Sequence, residues 1–296
     1  MTDTIEISIV DLGKTYRGKK RTLVRALNGL NLKVAQGEVF GFLGPNGAGK
    51  STTIKILTGQ IKATDGQAQI HGVSVVNPLS RKRVGYLPEN PAFYDFLTAR
   101  EYLRFVGNAY GMSKKAVSSS SNQVLERLEL DRAADRPIRG YSKGMVQRLG
   151  LAQAMLPDPD LLILDEPMSG LDPLGRALVK DLIKELKHAG KTIFFSTHIT
   201  ADVEIVCDRV GILVEGELKA LDRVDTILNE GIEGYRLSFA ATGKETTEKI
   251  VASDLLKTTL EQILAQGGRI DRIEPLRRDL ERYFLDVVKG AGHEHS

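Results

Sequence analysis

A glycine-rich stretch at residues 44–51, GPNGAGKS, has the residue types and spacing of a phosphate-binding loop. It joins an apolar run at residues 39–43, which predicts a buried strand, to a predicted helix at residues 52–57. Glycines permit backbone turns that bring consecutive N–H groups to one anion, and the following helix directs its positive end at the same point. The stretch therefore predicts a site for phosphate groups.

The side chains at the end of this loop indicate which part of a phosphate chain it holds. Lys50 supplies a point charge for the outer phosphates, and the Ser51 hydroxyl is suited to a magnesium ion that bridges them. The residues that we expect to contact the phosphates are Gly44, Pro45, Asn46, Gly47, Ala48, Gly49, Lys50, Ser51 and Thr52.

Two carboxylates follow a second apolar run, LLIL at residues 161–164, which suits a buried parallel strand. Open α/β sheets bind ligands beyond the carboxyl ends of their strands, where Asp165 and Glu166 would lie. Asp165 can hold magnesium, and Glu166 can take a proton from an attacking water. The other interpretation is a strand-end turn with solvated acids, which a phosphate loop in need of a metal partner disfavours.

Three further candidates have a functional and a structural interpretation each. Tyr16 fits stacking on a nucleotide base or ordinary packing at a strand end. Ser142, with Gly144, begins a predicted helix and fits anion binding or plain capping. His198 follows the predicted strand 192–197 and fits contact with a terminal phosphate or water, or a structural role.

Composition bounds the class of protein. The chain has 296 residues, 42% of them hydrophobic, and a net charge of only +3, so we expect a globular protein without a nucleic-acid partner. One cysteine, Cys207, excludes an internal disulfide framework. No segment approaches the ~20 apolar residues that span a bilayer, and we expect no secretion signal. A membrane role would therefore depend on another chain.

The order of patterns predicts an α/β protein with inserted and appended parts. From about residue 90 to 156 the pattern becomes helical, beginning with a capping box at Thr98 and Glu101. Within this part, the serine run at residues 118–121 predicts a solvated loop or helix edge, to which we assign no chemistry. Strand and helix patterns beyond residue 230 predict a small α+β region.

Taken together, the ordered segments of this chain resemble the ATP-binding subunit of an ABC transporter. Residues 44–51 resemble the Walker A motif of that family, and residues 161–166 resemble Walker B. Residues 141–145 resemble the signature motif, and residues 169–172 resemble the D-loop. His198 resembles the switch histidine, and Tyr16 resembles the aromatic residue that stacks on adenine. Two positions depart from the family pattern. Glu89 stands where glutamine is common, and the signature has Lys143 and Met145 at its third and fifth places.

The resemblance implies a P-loop NTPase fold of ABC type, with a mixed, mainly parallel sheet core, an antiparallel β subdomain and a helical insertion at about 90–156. The ATP-binding domain would span residues 1–230, and an accessory α+β region would span 231–296. ATP and Mg²⁺ are the implied cofactors. Glu166, His198 and Lys50 are the implied catalytic residues, with Ser51, Asp165 and Glu89 at the metal and Ser142, Gly144 and Asp172 contacting nucleotide.

The implied partners are a separate transmembrane permease and a second ATP-binding subunit, identical or closely related, bound head to tail. The chain would then lie at the cytoplasmic face of the cell membrane and power transport, with export favoured by the signature variant. Residues 90–97, with Phe93, Tyr94 and Phe96, are either the permease-docking surface or part of the core of the helical insertion. The alternative function is a soluble ABC-type ATPase, for example one in iron–sulfur cluster assembly.

Overall fold

The computed structural model describes residues 4–18, 22–230, 232–240, 246–277 and 279–293. These residues form two compact units, which divide between residues 221 and 222. The sequence predicts a division after residue 230. The earlier division arises because the helix at residues 224–230 contacts the last helix of the chain and so belongs to the second unit.

The first unit alternates strands and helices around one helical segment. Before that segment come β1 (Ile5–Arg17), β2 (Leu23–Ala35), β3 (Val39–Leu43), α1 (Lys50–Leu57), β4 (Asp65–Ile70), β5 (Val73–Ser74) and β6 (Val84–Leu87). The helical segment contains α2 (Ala99–Ala109), α3 (Lys114–Arg127) and α4 (Lys143–Met155). After it come β7 (Leu161–Asp165), α5 (Pro173–His188), β8 (Thr192–Thr197), α6 (Thr200–Val206), β9 (Arg209–Val214) and β10 (Glu217–Arg223), which ends in the second unit.

Two sheets organise the first unit. One is antiparallel, with the order β2-β1-β4-β5. The other has the order β10-β9-β3-β8-β7-β6, and its pairs from β9 to β6 are parallel. The predicted α/β class, with a mainly parallel core, an antiparallel subdomain and a helical insertion, is confirmed.

The central strands are buried along their whole length. Every residue of β3, β7 and β8 is buried, as expected for parallel strands with both faces covered. Phe194 of β8 stacks on Phe40 at 5.7 Å between ring centroids and contacts Phe42 at 5.3 Å. This aromatic cluster fixes β3 and β8 relative to each other through side chains as well as through backbone hydrogen bonds.

Parallel register aligns the ends of these strands. Leu43, the last residue of β3, pairs with Thr197, the last residue of β8. Between β7 and β8, Asp165 is opposite Ser196. Between β6 and β7, Leu87 is opposite Leu164. The residues that follow β3, β6, β7 and β8 therefore meet at one edge of the sheet.

The helical segment begins as predicted, with Thr98 and Glu101 forming a capping box at the start of α2. The serine run lies inside α3, so it is not a loop. Ser118 is exposed, as a helix edge predicts, but Ser121 is only 5% exposed. Helical periodicity explains the difference, because Ser121 shares the buried face of α3 with Val117 and Val124, and α3 contacts α2.

The second unit is a small α+β structure. Its elements are α7 (Val224–Glu230), β11 (Ile232–Ala240), β12 (Thr246–Val251), α8 (Leu256–Ala265), β13 (Arg269–Arg277) and α9 (Leu280–His293). The strands form an antiparallel sheet in the order β12-β11-β13, with Leu237, Val251 and Ile263 in its core. Among the described residues of both units, no helix is long and apolar enough to cross a membrane.

Replacing Phe194 by alanine should lower the free energy of unfolding by about 3–5 kcal/mol, because it removes the ring between Phe40 and Phe42 and leaves a cavity. Denaturant titration followed by circular dichroism measures this loss. Leu79→Ala is the control, since Leu79 is 68% exposed and should change stability little. Equal losses in the two variants would contradict the position of Phe194 in the core.

Candidate active site

The glycine-rich loop occupies the turn between β3 and α1, at the sheet edge where the parallel strands end. Gly49 begins α1 with φ of 109°, a conformation that side chains other than glycine rarely adopt. A Cβ atom at this position would lie 2.5 Å from the carbonyl oxygen of Ala26. The glycine is therefore required both by the turn and by the close approach of β2.

Lys50 lies at the first turn of α1 and is only 6% exposed. Its Nζ donates hydrogen bonds to the carbonyl oxygens of Gly44 at 2.6 Å and Pro45 at 3.1 Å. Burial lowers the pKa of the ammonium, while the charge of Glu166, and then of Asp165, opposes that shift. The loop therefore wraps around a buried cation that faces two carboxylates.

Asp165 ends β7 and connects three elements. Its Oδ1 accepts a hydrogen bond from Ser196 Oγ of β8 at 2.5 Å and another from Ser51 Oγ of α1 at 3.4 Å. The carboxylate is 2% exposed. Burial at the end of the sheet thus directs its oxygens at the hydroxyl of the glycine-rich loop.

Glu166 is held in place by its backbone. Its φ is 51°, a strained value for a residue other than glycine. Its N–H donates to Ser196 Oγ at 3.1 Å, and its carbonyl oxygen accepts from Gln147 Nε2 at 3.1 Å. These bonds from β8 and α4 stabilise the turn that directs the side chain away from the strand.

The carboxylate of Glu166 contacts His198. Its Oε1 lies 2.9 Å from Nδ1 of the histidine. Burial raises the pKa of Glu166, and the hydrogen bond and charge of His198, together with the charge of Lys50, oppose that rise. A carboxylate with a raised pKa is a better proton acceptor than a solvated one. Glu166 therefore has the properties of a general base, and His198 is placed to orient it.

A cavity of about 330 Å³ joins these groups. Among the described residues, its lining consists of Asn46, Gly47, Ala48, Gly49, Lys50, Ser51, Thr52, Glu89 and Glu166. Glu89, which the family resemblance implies as a site residue, therefore lies in the same cavity as the loop. Four other predicted residues contact residues of this lining. Gly44 and Pro45 accept hydrogen bonds from Lys50. Asp165 accepts one from Ser51, and His198 contacts Glu166.

Tyr16 lies near the loop but is not among the residues that line this cavity. It belongs to β1, where it pairs with Val24, and its hydroxyl is 3.5 Å from Thr52 Oγ1. The Nζ of Lys14 lies 5.1 Å from the centre of its ring. Tyr16 is 37% exposed, so part of the residue is accessible for contact.

The other predicted positions lie on a separate surface. Ser142 caps α4, and Asp172 caps α5 by accepting a bond from the N–H of Gly175 at 2.8 Å. The two turns are neighbours, because a Cβ atom on Gly170 would lie 2.6 Å from Lys143 Cε. Ser142, Gly144 and Asp172 do not line the cavity that contains Lys50, and both Ser142 and Asp172 are exposed.

Two residues that position the site were not predicted to do so. Ser196 appears in the sequence as one residue of an apolar strand pattern, with no local signal of its contact to Asp165. Gln147 follows the signature segment, but its bonds to the carbonyl oxygens of Glu166 and Pro167 depend on how α4 packs. Only the polarity of Gln147 within an otherwise apolar helix face could have indicated it.

The donor set fits a magnesium ion shared with phosphates. No group of three or more His, Cys, Asp and Glu side chains within the described parts of the chain could hold a metal ion alone. Mg²⁺ commonly takes one or two protein oxygens and completes its shell with water and substrate phosphates. The Ser51 hydroxyl and the Asp165 carboxylate, 3.4 Å apart, are donors of this kind.

Comparison with known proteins identifies the family. A family model described as ABC transporter matches residues 27–169. The uncharacterized ABC transporter ATP-binding protein sll0415 of Synechocystis sp. is 45% identical over 99% of this chain and 86% of its own length. The bacitracin transport ATP-binding protein BcrA of Bacillus licheniformis is 43% identical over 72% of this chain and 68% of its own length.

A solved structure agrees with these relatives. This chain is similar to the ATP-binding cassette MJ0796, whose structure is a dimeric post-hydrolysis state with ADP and Pi. The TM-score is 0.69 and the sequence identity is 25%, and the match covers 74% of this chain and 98% of that chain. At 45% identity to a curated relative across nearly its whole length, the chain belongs to the ABC transporter family, among the ATP-binding subunits that hydrolyse ATP.

Proposed function

We propose that this chain powers export across a membrane by closing on a second ATP-binding subunit and driving a separate transmembrane permease. The observation that carries the proposal is the single cavity lined by the glycine-rich loop, Lys50 and Glu166, with His198 in contact with Glu166. One subunit thus contains a phosphate cradle and a base together. That it is a transporter subunit, and not the soluble ATPase considered as the alternative, is supported by the names of its relatives.

The loop binds the phosphates of ATP through its N–H groups and Lys50. The Lys50 ammonium donates to the carbonyl oxygens of Gly44 and Pro45. Phosphate oxygens of ATP would replace these carbonyl oxygens as its acceptors. Its burial makes the charge act at low dielectric, which strengthens attraction to an anion. Tyr16, beside Thr52, stacks on the base.

Ser51 and Asp165 hold the magnesium ion, and Glu89 is the third candidate because it lines the same cavity. When bound, the ion neutralises charge on the phosphate oxygens. Ser196 keeps the Asp165 carboxylate oriented through its 2.5 Å hydrogen bond. Asp165 therefore serves as a fixed oxygen ligand and Glu166 remains available for proton transfer.

Glu166 accepts the proton of the attacking water. Burial raises its pKa and makes it more basic, whereas His198 and Lys50 oppose that rise and so favour its ionised form. Its turn is held by Ser196 and Gln147, so the carboxylate has little freedom to leave the cavity. His198, 2.9 Å away, orients the carboxylate and can also contact the terminal phosphate.

A second subunit completes the site. Ser142, Gly144 and Asp172 lie on a surface apart from the cavity, and the exposed N-cap of α4 presents N–H groups and a positive helix end. In a head-to-tail dimer, this surface of one subunit would face the loop of the other. ATP would then bridge the two subunits, and hydrolysis would remove the bridging phosphate.

The permease docks on an aromatic surface that follows Glu89. Tyr94, Phe96 and Phe105 are 55%, 67% and 54% exposed, and the ring of Tyr94 contacts both of the others. Phe93 instead packs against Tyr102 at 4.8 Å and supports the surface from below. Exposed aromatic clusters are typical anchors of protein interfaces. Because the segment begins at Glu89 of the active site, docking and hydrolysis can be coupled.

The proposal that transport is outward is based on the signature motif. Its variant, with Lys143 and Met145, resembles the signature of export-type subunits. A permease in the cell membrane would hold this chain at the cytoplasmic face, where ATP is available. BcrA, named for bacitracin transport, supports a transport role without indicating which compound this chain helps to move.

Replacing Lys50 by alanine should abolish measurable ATP binding, because it removes the buried cation at the loop. Isothermal titration with ATP and magnesium measures the affinity. Lys55→Ala is the matched control, since Lys55 lies on the exposed side of the same helix and should leave binding unchanged. Equal affinities in the wild type and in Lys50→Ala would refute the role of the loop.

Replacing Glu166 by glutamine should lower ATP turnover by about 10²–10⁴-fold while ATP binding persists, since the amide cannot accept the proton. Phosphate release at saturating ATP gives the rate, and equilibrium titration gives the affinity. The control is Glu126→Gln, at an exposed position of α3. Near wild-type turnover in Glu166→Gln would show that another group is the base.

Changing Tyr94 and Phe96 together to serine should prevent copurification of a multi-spanning membrane protein from detergent-solubilised membranes, because the exposed anchor is lost. Tyr110→Ser, at a tyrosine that is 50% exposed, is the aromatic control. Circular dichroism establishes that both variants are folded. Full retention of the partner by the double variant would place docking elsewhere.

A further inference from the structure

A second cavity, of about 370 Å³, lies between α2 and α3, apart from the ATP site. From α2 it is lined by Arg100, Arg104 and Asn108, and from α3 by Lys114, Ser118 and Ser121. The α2 residues recur every four positions and so share one face of that helix. Of the lining residues only Val117 is apolar, and none is a carboxylate. The cavity is therefore cationic and rich in hydrogen-bond donors.

Most of the positive charge in this cavity is not neutralised by neighbours. Arg100 pairs with Asp135 and hydrogen-bonds Asn122. In contrast, Arg104 and Lys114 have no ion pair within 4.0 Å among the described residues. The carboxylate of Glu101, on the same helix, is engaged by Thr98 in the capping box, and it also interacts electrostatically with Arg104. Among the described residues, Arg104 and Lys114 thus line one space without a close ion pair, and Glu101 offsets part of the Arg104 charge.

An independent observation points to a ligand in the same space. The Ser121 hydroxyl is buried, with the residue 5% exposed, and it has no hydrogen-bond partner in the described structure. Serines within helices commonly donate to a carbonyl of the preceding turn, which Ser121 does not do. Because buried hydroxyls are almost always paired, an acceptor from outside the chain would satisfy this one.

We propose that this cavity binds a small phosphate-bearing anion. Arg104 and Lys114 would neutralise its charge, and the hydroxyl of Ser121 would donate a hydrogen bond to one of its oxygens. The volume lies near the lower end of the ~300–1,000 Å³ range of small-molecule sites, which favours a compact molecule or headgroup. The ligand would join α2 to α3, and α2 also carries Phe105 of the aromatic surface.

Calorimetric titration with inorganic phosphate tests the site. It is done on the Lys50→Ala chain, because the glycine-rich loop is expected to take phosphate as well. We expect one saturable site whose affinity falls about tenfold or more in Arg104→Gln and in Ser121→Ala, each losing a charge-assisted hydrogen bond. Arg132→Gln, at an exposed arginine outside the cavity, is the matched control and should bind as before.

Cosedimentation with phosphatidylcholine vesicles, with and without phosphatidic acid, distinguishes a lipid headgroup from a soluble phosphate compound. Binding to vesicles that requires phosphatidic acid, Arg104 and Ser121 assigns the site to a headgroup. Phosphate binding alone assigns it to a soluble anion. Thermal unfolding separates lost binding from lost structure, because Ser121→Ala should melt no lower than its parent. Absence of binding in both assays, or equal binding by all variants, overturns the proposal.

Discussion

Parallel pairing of β3, β8 and β7 is the constraint on which the active site depends. Since parallel strands end at the same edge, the register that places Leu43 beside Thr197 and Asp165 beside Ser196 brings together loops that are far apart in the chain. The apolar interior of the sheet, with Phe194 against Phe40, holds that register. The polar residues of the site are therefore positioned by the hydrophobic core beneath them.

Opposing electrostatic effects then set the chemistry at this edge. Burial disfavours the charged forms of both Lys50 and Glu166, lowering the pKa of one and raising that of the other, while their mutual attraction acts in the opposite direction. Each charge therefore favours the ionised form of the other. His198 supports the carboxylate, and Ser196 and Gln147 hold the backbone that carries it. The site thus combines a buried cation with the carboxylate that we propose as the base.

The helical segment connects this edge to surfaces that need other molecules. Its helix α4 carries Ser142 at one end and donates from Gln147 to the turn of Glu166, so one helix contacts both the proposed dimer surface and the turn that holds the proposed base. Helix α2 carries the exposed aromatic surface on one side and the basic cavity on another. Movements of this segment would therefore affect the ATP site, the proposed permease surface and the proposed anion cavity together.

The sequence alone determined the elements whose function is encoded locally. Gly44 to Ser51, Asp165 with Glu166, and the cap at Thr98 are recognisable because the residue types and their spacing within one short segment already impose the chemistry. It also predicted the α/β class and the helical insertion, since hydrophobic periodicity is a local property. Only the tertiary structure decided that Ser196 binds Asp165, that Gln147 holds Glu166, and that Ser121 faces a basic cavity. These contacts join residues whose proximity is set by strand order and by the packing of one helix on another, which no local pattern encodes.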